Sequence, residues 1–240
     1  MTDLLFQDES YLKEFEATIT ELVEGGAILD RSAFYIGGGG QPCDTGVLIH
    51  DGDEHIVTKV GRQEGKIVHQ IPDLASTSLA SGQLVTGKID WDQRLLLMRT
   101  HTALHILCGV VWRDYGAKVT GGDMRPGEAR MDFELEQMTA QFAEEIEEKI
   151  NTEVAIARDV LVSKISREEA DRTPDLIRTK INLLPTNIRE VRTIDIQGLD
   201  IQADGGTHVA NTQEVGTIKV VGRESKGRIN KRLRIALADI

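Results

Sequence analysis

The spacing of apolar and polar positions divides the chain into two parts that predict different structures. Residues 1 to about 90 contain short apolar runs broken by turn signals: EGGAILD, GGGGQPCDTG, HDGDEH, GRQEGK and SGQLVTGK. Short runs at this spacing, with no long helical period, are typical of strands. We therefore expect residues 1–90 to form a small, glycine-rich, β-barrel-like domain.

A long helix is predicted next. Asp90 is a favourable N-cap residue, and the stretch WDQRLLLMRTHTALHILCGVVWRDYG follows it without a proline or a paired glycine. The run ends near Gly116, where a glycine is a common helix terminator. The pattern predicts a long, mostly buried helix.

The rest of the chain alternates between strand and helix patterns. In ARMDFEL the apolar residues alternate with acidic ones, the period of a strand with one buried face. FAEEIEEKINTEVA has apolar residues spaced four apart, as in an amphipathic helix. VRTIDI, GTIKVVG and RLRIAL predict further strands, the last two joined through RESKGRIN as a hairpin. Residues 91–240 therefore predict an α+β domain with a long buried helix packed on an antiparallel sheet.

Composition is that of an ordinary globular protein. The 240 residues are 40% hydrophobic and 28% charged, and no apolar run approaches the roughly 20 residues that span a bilayer. The start, MTDLLFQDES, has no basic segment followed by an apolar one, so we expect no secretory signal and a cytoplasmic protein without a membrane partner. Cys43 and Cys108 are the two cysteines, and we expect both to be free thiols.

Charge is distributed unevenly along the chain. The formal net charge of −11 argues against a protein that coats nucleic acid through bulk electrostatics. The C-terminal end is nevertheless basic, and a solvated charged face is the alternative interpretation of this patch. Its cations are Lys219, Arg223, Lys226, Arg228, Lys231, Arg232 and Arg234.

Two histidines in the predicted helix are candidate metal ligands. His101 and His105 lie four residues apart, which places both imidazoles on one helix face. Pairs at this spacing often only pack or form hydrogen bonds. The residues between them are Thr102, Ala103 and Leu104, so the glutamate of the HExxH metalloprotease motif is missing.

The stretch DGGTH supplies two more candidate ligands. Asp204 and His208 are also four residues apart, in a glycine-containing loop between predicted strands. Carboxylate oxygen and imidazole nitrogen both suit Zn²⁺, and a site with an open position is typical of catalytic zinc. The alternative is a Gly-Gly hairpin with a surface histidine.

The glycine-rich stretch FYIGGGGQPCDTG forms a further motif. No Gly-Lys-Ser/Thr follows Gly37–Gly40, and the next residues predict strands, so neither a P-loop nor a dinucleotide fingerprint fits. Glycines let a backbone approach a ligand closely, and Gln41 offers an amide for hydrogen bonding. A flexible loop between strands is the alternative.

In this order, GGGGQPCDTG, RTHTALHIL and DGGTHVANTQEVG resemble the editing domain of alanyl-tRNA synthetases and the free-standing alanyl-tRNA editing proteins of the AlaX type. The resemblance covers nearly the whole chain, because the β-rich segment is similar to the glycine-rich module of the longer AlaX proteins. It implies a stand-alone, trans-acting editor.

The resemblance also implies a ligand set and a reaction. His101 and His105 match the HxxxH zinc ligands of the family, and His208 matches the histidine of its CxxxH motif. Asp204 departs from the family pattern, which most often has cysteine there. The implied reaction is hydrolysis of the ester in mischarged tRNA(Ala), with seryl-tRNA(Ala) as the first substrate and glycyl-tRNA(Ala) as the second.

Recognition of the serine hydroxyl needs a second site, because the differences that a synthetase pocket senses are worth roughly 1–3 kcal/mol. We expect Thr102, Gln41 and the backbone of Gly37, Gly38, Gly39 and Gly40 to provide substrate contacts, with Thr102 and Gln41 at the catalytic site. The alternative for Thr102 is a hydroxyl bonded to the preceding helical turn.

The basic C-terminal end is expected to contact the tRNA acceptor stem through Arg223, Lys226, Arg228, Lys231 and Arg232. Two alternatives stay open. One is a metal-stabilised tRNA-binding module without turnover, and the other is a hydrolase of a small amino ester, which would not need the acceptor stem.

Overall fold

A computed structural model describes residues 2–173, 175–179 and 188–238. The chain separates into two compact units, Met1–Leu95 and Leu96–Ile240. This division falls inside the long helix, whereas the predicted domain boundary at residue 90 precedes that helix.

The first unit consists of short strands. They are β1 (Asp3–Leu4), β2 (Glu14–Val23), β3 (Gly26–Leu29), β4 (Arg31–Ser32), β5 (Gly46–His50), β6 (Asp53–Val57), β7 (Lys59–Gln63), β8 (Lys66–Gln70) and β9 (Leu84–Ile89), with 3-10 turns at Leu5–Gln7 and Leu74–Ser76. Seven of them form one antiparallel sheet in the order β6-β5-β9-β2-β3-β8-β7, and β1 pairs with β4.

The large sheet of the first unit curls round on itself. Its two end strands, β6 and β7, follow each other in the chain with only Thr58 between them, so the edges of the sheet meet at that residue. The inward side chains form one apolar core that includes Phe15, Ile19, Phe34 and Leu48. The expected β-barrel-like arrangement follows from this connectivity.

Helix α1 spans Trp91–Tyr115, as the sequence predicts. The Asp90 carboxylate accepts a hydrogen bond from the Gln93 N–H at 3.3 Å, and Gly116 follows the last turn with φ +62°. Residues 100–111 are buried without exception. Although no uninterrupted apolar run spans it, the helix as a whole is long and apolar enough to cross a membrane. However, 78% of its most apolar window is buried inside the protein, as in the core helices of globular domains.

Among its described residues, the second unit contains two further helices and two antiparallel sheets besides α1. Its further elements are β10 (Val119–Arg125), β11 (Glu128–Phe133), α2 (Ala140–Ala155), β12 (Val160–Ser166), α3 (Arg167–Arg172), β13 (Glu190–Ile196), β14 (Asp200–Ala203), a 3-10 turn (Thr212–Val215), β15 (Ile218–Gly227) and β16 (Asn230–Leu237). One antiparallel sheet has the order β10-β11-β16-β15 and the other β12-β13-β14. The predicted α+β class is confirmed.

Helix α2 covers the free edge of β15. The Asn151 amide donates to the Ile218 carbonyl and accepts from its N–H, at 2.8 and 2.9 Å, and the Glu147 carboxylate accepts from the Val220 N–H at 2.7 Å. These bonds satisfy an edge strand that would otherwise expose its backbone.

Candidate metal centre

Four predicted ligands from two distant parts of the chain meet in the second unit. His101 and His105 project from one face of α1, while Asp204 and His208 come from the loop after β14. The ring centroids of His101 and His208 lie 4.2 Å apart in a stacked arrangement, and both rings are edge-on to His105 at 5.0 and 4.6 Å. The helix spacing and the loop spacing therefore converge on one cluster.

The Asp204 carboxylate joins the three imidazoles. Its Oδ1 accepts hydrogen bonds from the Gly206 N–H at 2.7 Å and from His208 Nε2 at 3.0 Å. Its Oδ2 lies 3.7 Å from His101 Nε2. One oxygen is therefore used by the loop itself, and the other faces the histidines of the helix.

Burial keeps the imidazoles of His101 and His208 neutral. The three histidines are 3–6% exposed. Desolvation lowers the pKa of His101 to about 4, against an opposing effect of Asp204, and it holds the pKa of His208 well below its ordinary value. Burial acts to raise the pKa of Asp204, but the neighbouring His101 and His208 outweigh it and keep this pKa well below the usual range. Neutral imidazole and ionised carboxylate are the forms that ligate metals.

The donor set fits a metal ion. One ligand atom from each of His101, His105, Asp204 and His208 lies within 4.8 Å of all the others. A tetrahedral Zn²⁺ with bonds of about 2.1 Å needs ligand atoms about 3.4 Å apart, which small side-chain rotations supply here. Three nitrogens and one oxygen are a ligand set for zinc and for neighbouring divalent transition metals.

An arginine that the sequence analysis missed holds the ligand loop. The Nη1 of Arg192, on β13, donates to the carbonyls of Asp204 at 3.1 Å and Gly206 at 2.8 Å, and the Asp204 N–H donates to the Arg192 carbonyl. Gly205 and Gly206 do not adopt the left-handed region, so backbone strain is not the reason for the paired glycines. An arginine within a strand pattern gives no signal of this contact in the sequence.

Thr102 is joined to the cluster through its hydroxyl. The residue is fully buried, its Oγ1 lies 3.1 Å from His208 Nδ1, and it accepts from the Val209 N–H at 3.3 Å. The predicted contact with a substrate hydroxyl stays a prediction, but this oxygen already has two protein partners.

The glycine-rich loop belongs to the first unit. All four glycines, Gly37 to Gly40, have positive φ, between +58° and +140°. Gly38 and Gln41 exchange two backbone hydrogen bonds, which makes Gly39 and Gly40 the central residues of a tight turn that other residues adopt only with strain. Gln41 is 2% exposed. The glycines are therefore required by the turn, and a substrate contact by this loop stays a prediction.

A buried ion pair that the sequence analysis did not predict lies next to the glycine-rich loop. Asp44 and Tyr35 exchange backbone and side-chain hydrogen bonds, and the Asp44 carboxylate pairs with the guanidinium of Arg94. Arg94 also donates to the carbonyls of Ser10 and Ala33 at 2.9 and 2.7 Å. Both charged residues are essentially inaccessible to solvent, and the pair is fully hydrogen-bonded, as a buried charge requires.

The basic C-terminal end is the hairpin of β15 and β16. Arg223, Lys226 and Arg228 are exposed. Lys231 is buried, and its ammonium donates to two carbonyls of the turn, while Arg232 forms a two-pronged pair with Asp132 at 2.6 and 2.8 Å. The predicted tRNA contact stays a prediction. Of its five residues, Lys231 and Arg232 have their charged groups in hydrogen bonds or ion pairs within the protein.

Comparison with known proteins gives matches in both units. Residues 6–93 match the model of the class II (A) tRNA synthetases, and residues 191–234 match that of the second additional domain of threonyl and alanyl tRNA synthetases. The chain is 35% identical over 93% of its length to an alanine–tRNA ligase of Pyrococcus furiosus, of which it covers 24%.

Two shorter relatives match over their whole length. The chain is 37% identical to the alanyl-tRNA editing protein AlaX-M of Methanosarcina barkeri, with all of both chains covered. It is 39% identical to the AlaX-M protein of Methanosarcina mazei, covering 98% of that protein. The cluster of His101, His105 and His208 and the matches over full length lead to one conclusion: the chain belongs to the AlaX-M family of alanyl-tRNA editing proteins.

Proposed function

We propose that this protein deacylates mischarged tRNA(Ala) in trans, with seryl-tRNA(Ala) as its first substrate and glycyl-tRNA(Ala) as its second. The observation that carries the proposal is the buried His101, His105, Asp204 and His208 cluster in a chain that matches alanyl-tRNA editing proteins from end to end. The reaction is hydrolysis of the ester between the amino acid and the terminal ribose. We also propose the cytoplasmic location expected from the sequence.

We propose Zn²⁺ as the resident ion. His101, His105 and His208 would hold it through ring nitrogens, and Asp204 through Oδ2, because Oδ1 accepts from the Gly206 N–H and Oδ2 faces His101. When bound, the ion supplies Lewis-acid chemistry, which polarises an ester carbonyl and makes water a better nucleophile.

The surrounding residues keep this cluster in place. Arg192 fixes the backbone of the ligand loop, and residues 100–111 of α1 present their side chains inside the protein, where water is scarce. Of the cluster residues, Asp204 has the most exposed side chain, 17%. The substrate ester therefore approaches from the side of this carboxylate.

We expect the group that accepts the proton of the attacking water to lie outside the ligand set. Asp204 is the carboxylate of the cluster, and its hydrogen bonds and low pKa suit a ligand more than a general base. The candidates for the proton acceptor are a water molecule at the site and a ribose hydroxyl of the tRNA terminus. This assignment makes the reaction depend on an intact acceptor end.

The hairpin tip is the proposed contact for acceptor-stem phosphates. Arg223, Lys226 and Arg228 are exposed and form no ion pair among the described residues. By contrast, the outer face of the same sheet is a neutral ladder of three arginines and three carboxylates: Arg130, Arg232, Arg234, Asp123, Asp132 and Glu224. Free positive charge is thus concentrated at the tip.

The central test compares wild type with His101→Ala and with His50→Ala, a histidine of β5 outside the cluster. Deacylation of seryl-tRNA(Ala) and alanyl-tRNA(Ala) is measured for each, and bound zinc is quantified. We expect wild type and His50→Ala to release serine and spare alanine. We expect His101→Ala to bind less zinc and to release serine at a rate lower by on the order of 100-fold or more, because a ligand of the ion is removed.

Each alternative predicts a different result. If wild type binds zinc and tRNA(Ala) but releases neither amino acid, the protein is a metal-stabilised tRNA-binding module. If it hydrolyses serine esters of adenosine as fast as seryl-tRNA(Ala), it is a small-ester hydrolase. Serine release by a zinc-free protein would refute the metal-dependent mechanism.

A further inference from the structure

Thr102 contacts a predicted metal ligand, and no motif of the sequence indicated this. The residue follows His101 on α1, but its hydroxyl points to the ligand loop, 106 residues away in sequence. There Oγ1 lies 3.1 Å from His208 Nδ1 and accepts from the Val209 N–H at 3.3 Å. The side chain is 0% exposed, so no water competes for these bonds.

The hydrogen bonds of His208 assign its ring hydrogen. Nε2 lies 3.0 Å from Asp204 Oδ1, which accepts only, so Nε2 carries the hydrogen in this arrangement. Nδ1 of a neutral ring is then an acceptor, and the Thr102 hydroxyl donates to it. Both ring nitrogens are therefore used, one on each side of the imidazole.

Ligation of a metal through Nε2 reverses this assignment. The hydrogen must leave Nε2, and a neutral ring then carries it on Nδ1, where the Thr102 oxygen can accept it. A hydroxyl is both donor and acceptor, so the same oxygen serves Nδ1 in either form of the ring. A backbone N–H or a carbonyl at this place would suit one form of the ring only.

We propose that Thr102 is the positioning residue of His208: its hydroxyl holds the ring in both tautomers, so that Nε2 is released to a metal ion without loss of a buried hydrogen bond. The inference rests on the metal site of the proposed function. It assigns Thr102 to the ligand, and not to the serine hydroxyl of the substrate. Outer hydrogen bonds of this kind change metal affinity by about 10–100-fold.

The helix offers a matched control for the substitution. Thr100 is also buried, its hydroxyl donates to the Leu96 carbonyl at 2.6 Å, and it accepts from the Gly127 N–H at 3.0 Å, away from the cluster. Thr100→Val and Thr102→Val each remove one buried hydroxyl from α1 at constant shape. Thr102→Ser keeps the hydroxyl and tests rescue.

The experiment measures zinc affinity of the full chain by competition with a chelator, and the tautomer of His208 by ¹⁵N NMR of the ring nitrogens. We expect Thr102→Val to weaken zinc binding by about 10–100-fold, with Thr102→Ser and Thr100→Val close to wild type. We expect wild-type His208 to carry its hydrogen on Nε2 in the metal-free protein and on Nδ1 with zinc. Serine-over-alanine selectivity should be unchanged in the residual activity of Thr102→Val.

Three results would overturn the proposal: zinc affinity unchanged in Thr102→Val, the same His208 tautomer with and without zinc, or lost serine selectivity at normal zinc affinity. The last result would show that Thr102 recognises the serine hydroxyl of the substrate. Failure of the proposed function is distinguishable, because wild type itself would then bind no zinc or release no serine. If Thr102→Val does not fold, the wild-type ¹⁵N spectra with and without zinc still test whether the His208 tautomer changes on metal binding.

Discussion

Asp204 is the one carboxylate among the four candidate ligands of the cluster. Its carboxylate has one oxygen in hydrogen bonds with Gly206 and His208 and the other directed at His101. A hard oxygen donor in place of a thiolate reduces the preference for soft metals. The consequence at the scale of a single side chain is a change in metal selectivity.

We expect Asp204→Cys to increase the preference for Zn²⁺ over Mn²⁺ by about tenfold or more, because a thiolate favours the softer ion. Affinities for both ions, measured by competition with a chelator at one pH, check this ratio. Asp204→Asn is the matched control, since it keeps the shape, removes the charge and should weaken both ions. An unchanged ratio in the cysteine variant would show that Asp204 does not ligate the ion.

The convergence of the four candidate ligands was predictable at the residue scale, but their supporting contacts were not. The spacing in HTALH and DGGTH indicates ligands, because metal chemistry restricts both residue type and separation. Thr102 and Arg192 act through hydrogen bonds to residues far away in the sequence, and no local pattern encodes such a contact. These two contacts are identified only in the three-dimensional structure.

At the scale of elements, strand β8 places a histidine in the core of the first unit. His69 is 0% exposed, its Nε2 lies 2.7 Å from the Ser32 hydroxyl, and its Nδ1 lies 3.2 Å from the Ala27 carbonyl. The Nδ1–H donates to Ala27 and the Ser32 hydroxyl donates to Nε2, which suits a neutral ring. Burial lowers the pKa of His69 to about 4, and the bond to Ala27 opposes this only in part.

This histidine makes the free energy of unfolding of the first unit depend on pH. The unfolded chain binds a proton at His69 near pH 6.5, whereas the folded protein resists it until about pH 4, so stability present above pH 6.5 is lost as the pH falls towards 4. The full loss is about 3 kcal/mol. We expect urea unfolding of His69→Gln to depend less on pH between 7 and 4.5 than that of wild type.

Val57→Ala is the control, because Val57 lies in the same apolar core and has no titratable group. It should lower the free energy of unfolding and keep the wild-type pH dependence. Equal slopes for wild type and His69→Gln would show that His69 is already protonated in the folded protein at pH 4.5.

Elements were predicted where apolar periodicity is strong. Helix α1 and strands β11, β13 and β16 carry a clear period, and the structure confirms them. Strand β10 was missed because Gly121 and Gly122 indicate a turn, whereas the structure accommodates them at a bulge of a paired strand. Strand β12 was missed because its residues are mostly exposed, so it has no alternation of buried and polar positions.

At the scale of the molecule, an acidic chain has to bind an acidic ligand. The net charge of −11 repels RNA at long range, so binding depends on local positive charge. We propose that the exposed cations at the tip of the β15–β16 hairpin meet this need, because the ladder beside them is neutral. Salt dependence of tRNA binding should therefore report on the hairpin.

We expect the double substitution Lys226→Gln and Arg228→Gln to weaken tRNA(Ala) binding and to reduce the slope of log K against log salt by about one for each lost phosphate contact. The control removes two exposed cations from β7, through Lys59→Gln and Arg62→Gln, with the same change in net charge. Binding titrations at several salt concentrations check both. Equal slopes for the two double variants would assign the effect to net charge alone.

The absence of sulfur from the four candidate ligands also bears on how the proposed site would respond to peroxide. Thiolate ligands are oxidised to sulfenic and higher acids, which releases their metal. The four side chains of the cluster contain only nitrogen and oxygen donors, and of the two thiols in the chain Cys108 is buried with a raised pKa. Oxidants would therefore find no sulfur among the four candidate ligands, and we expect the proposed site to keep its donor set at peroxide concentrations that oxidise thiolate ligands.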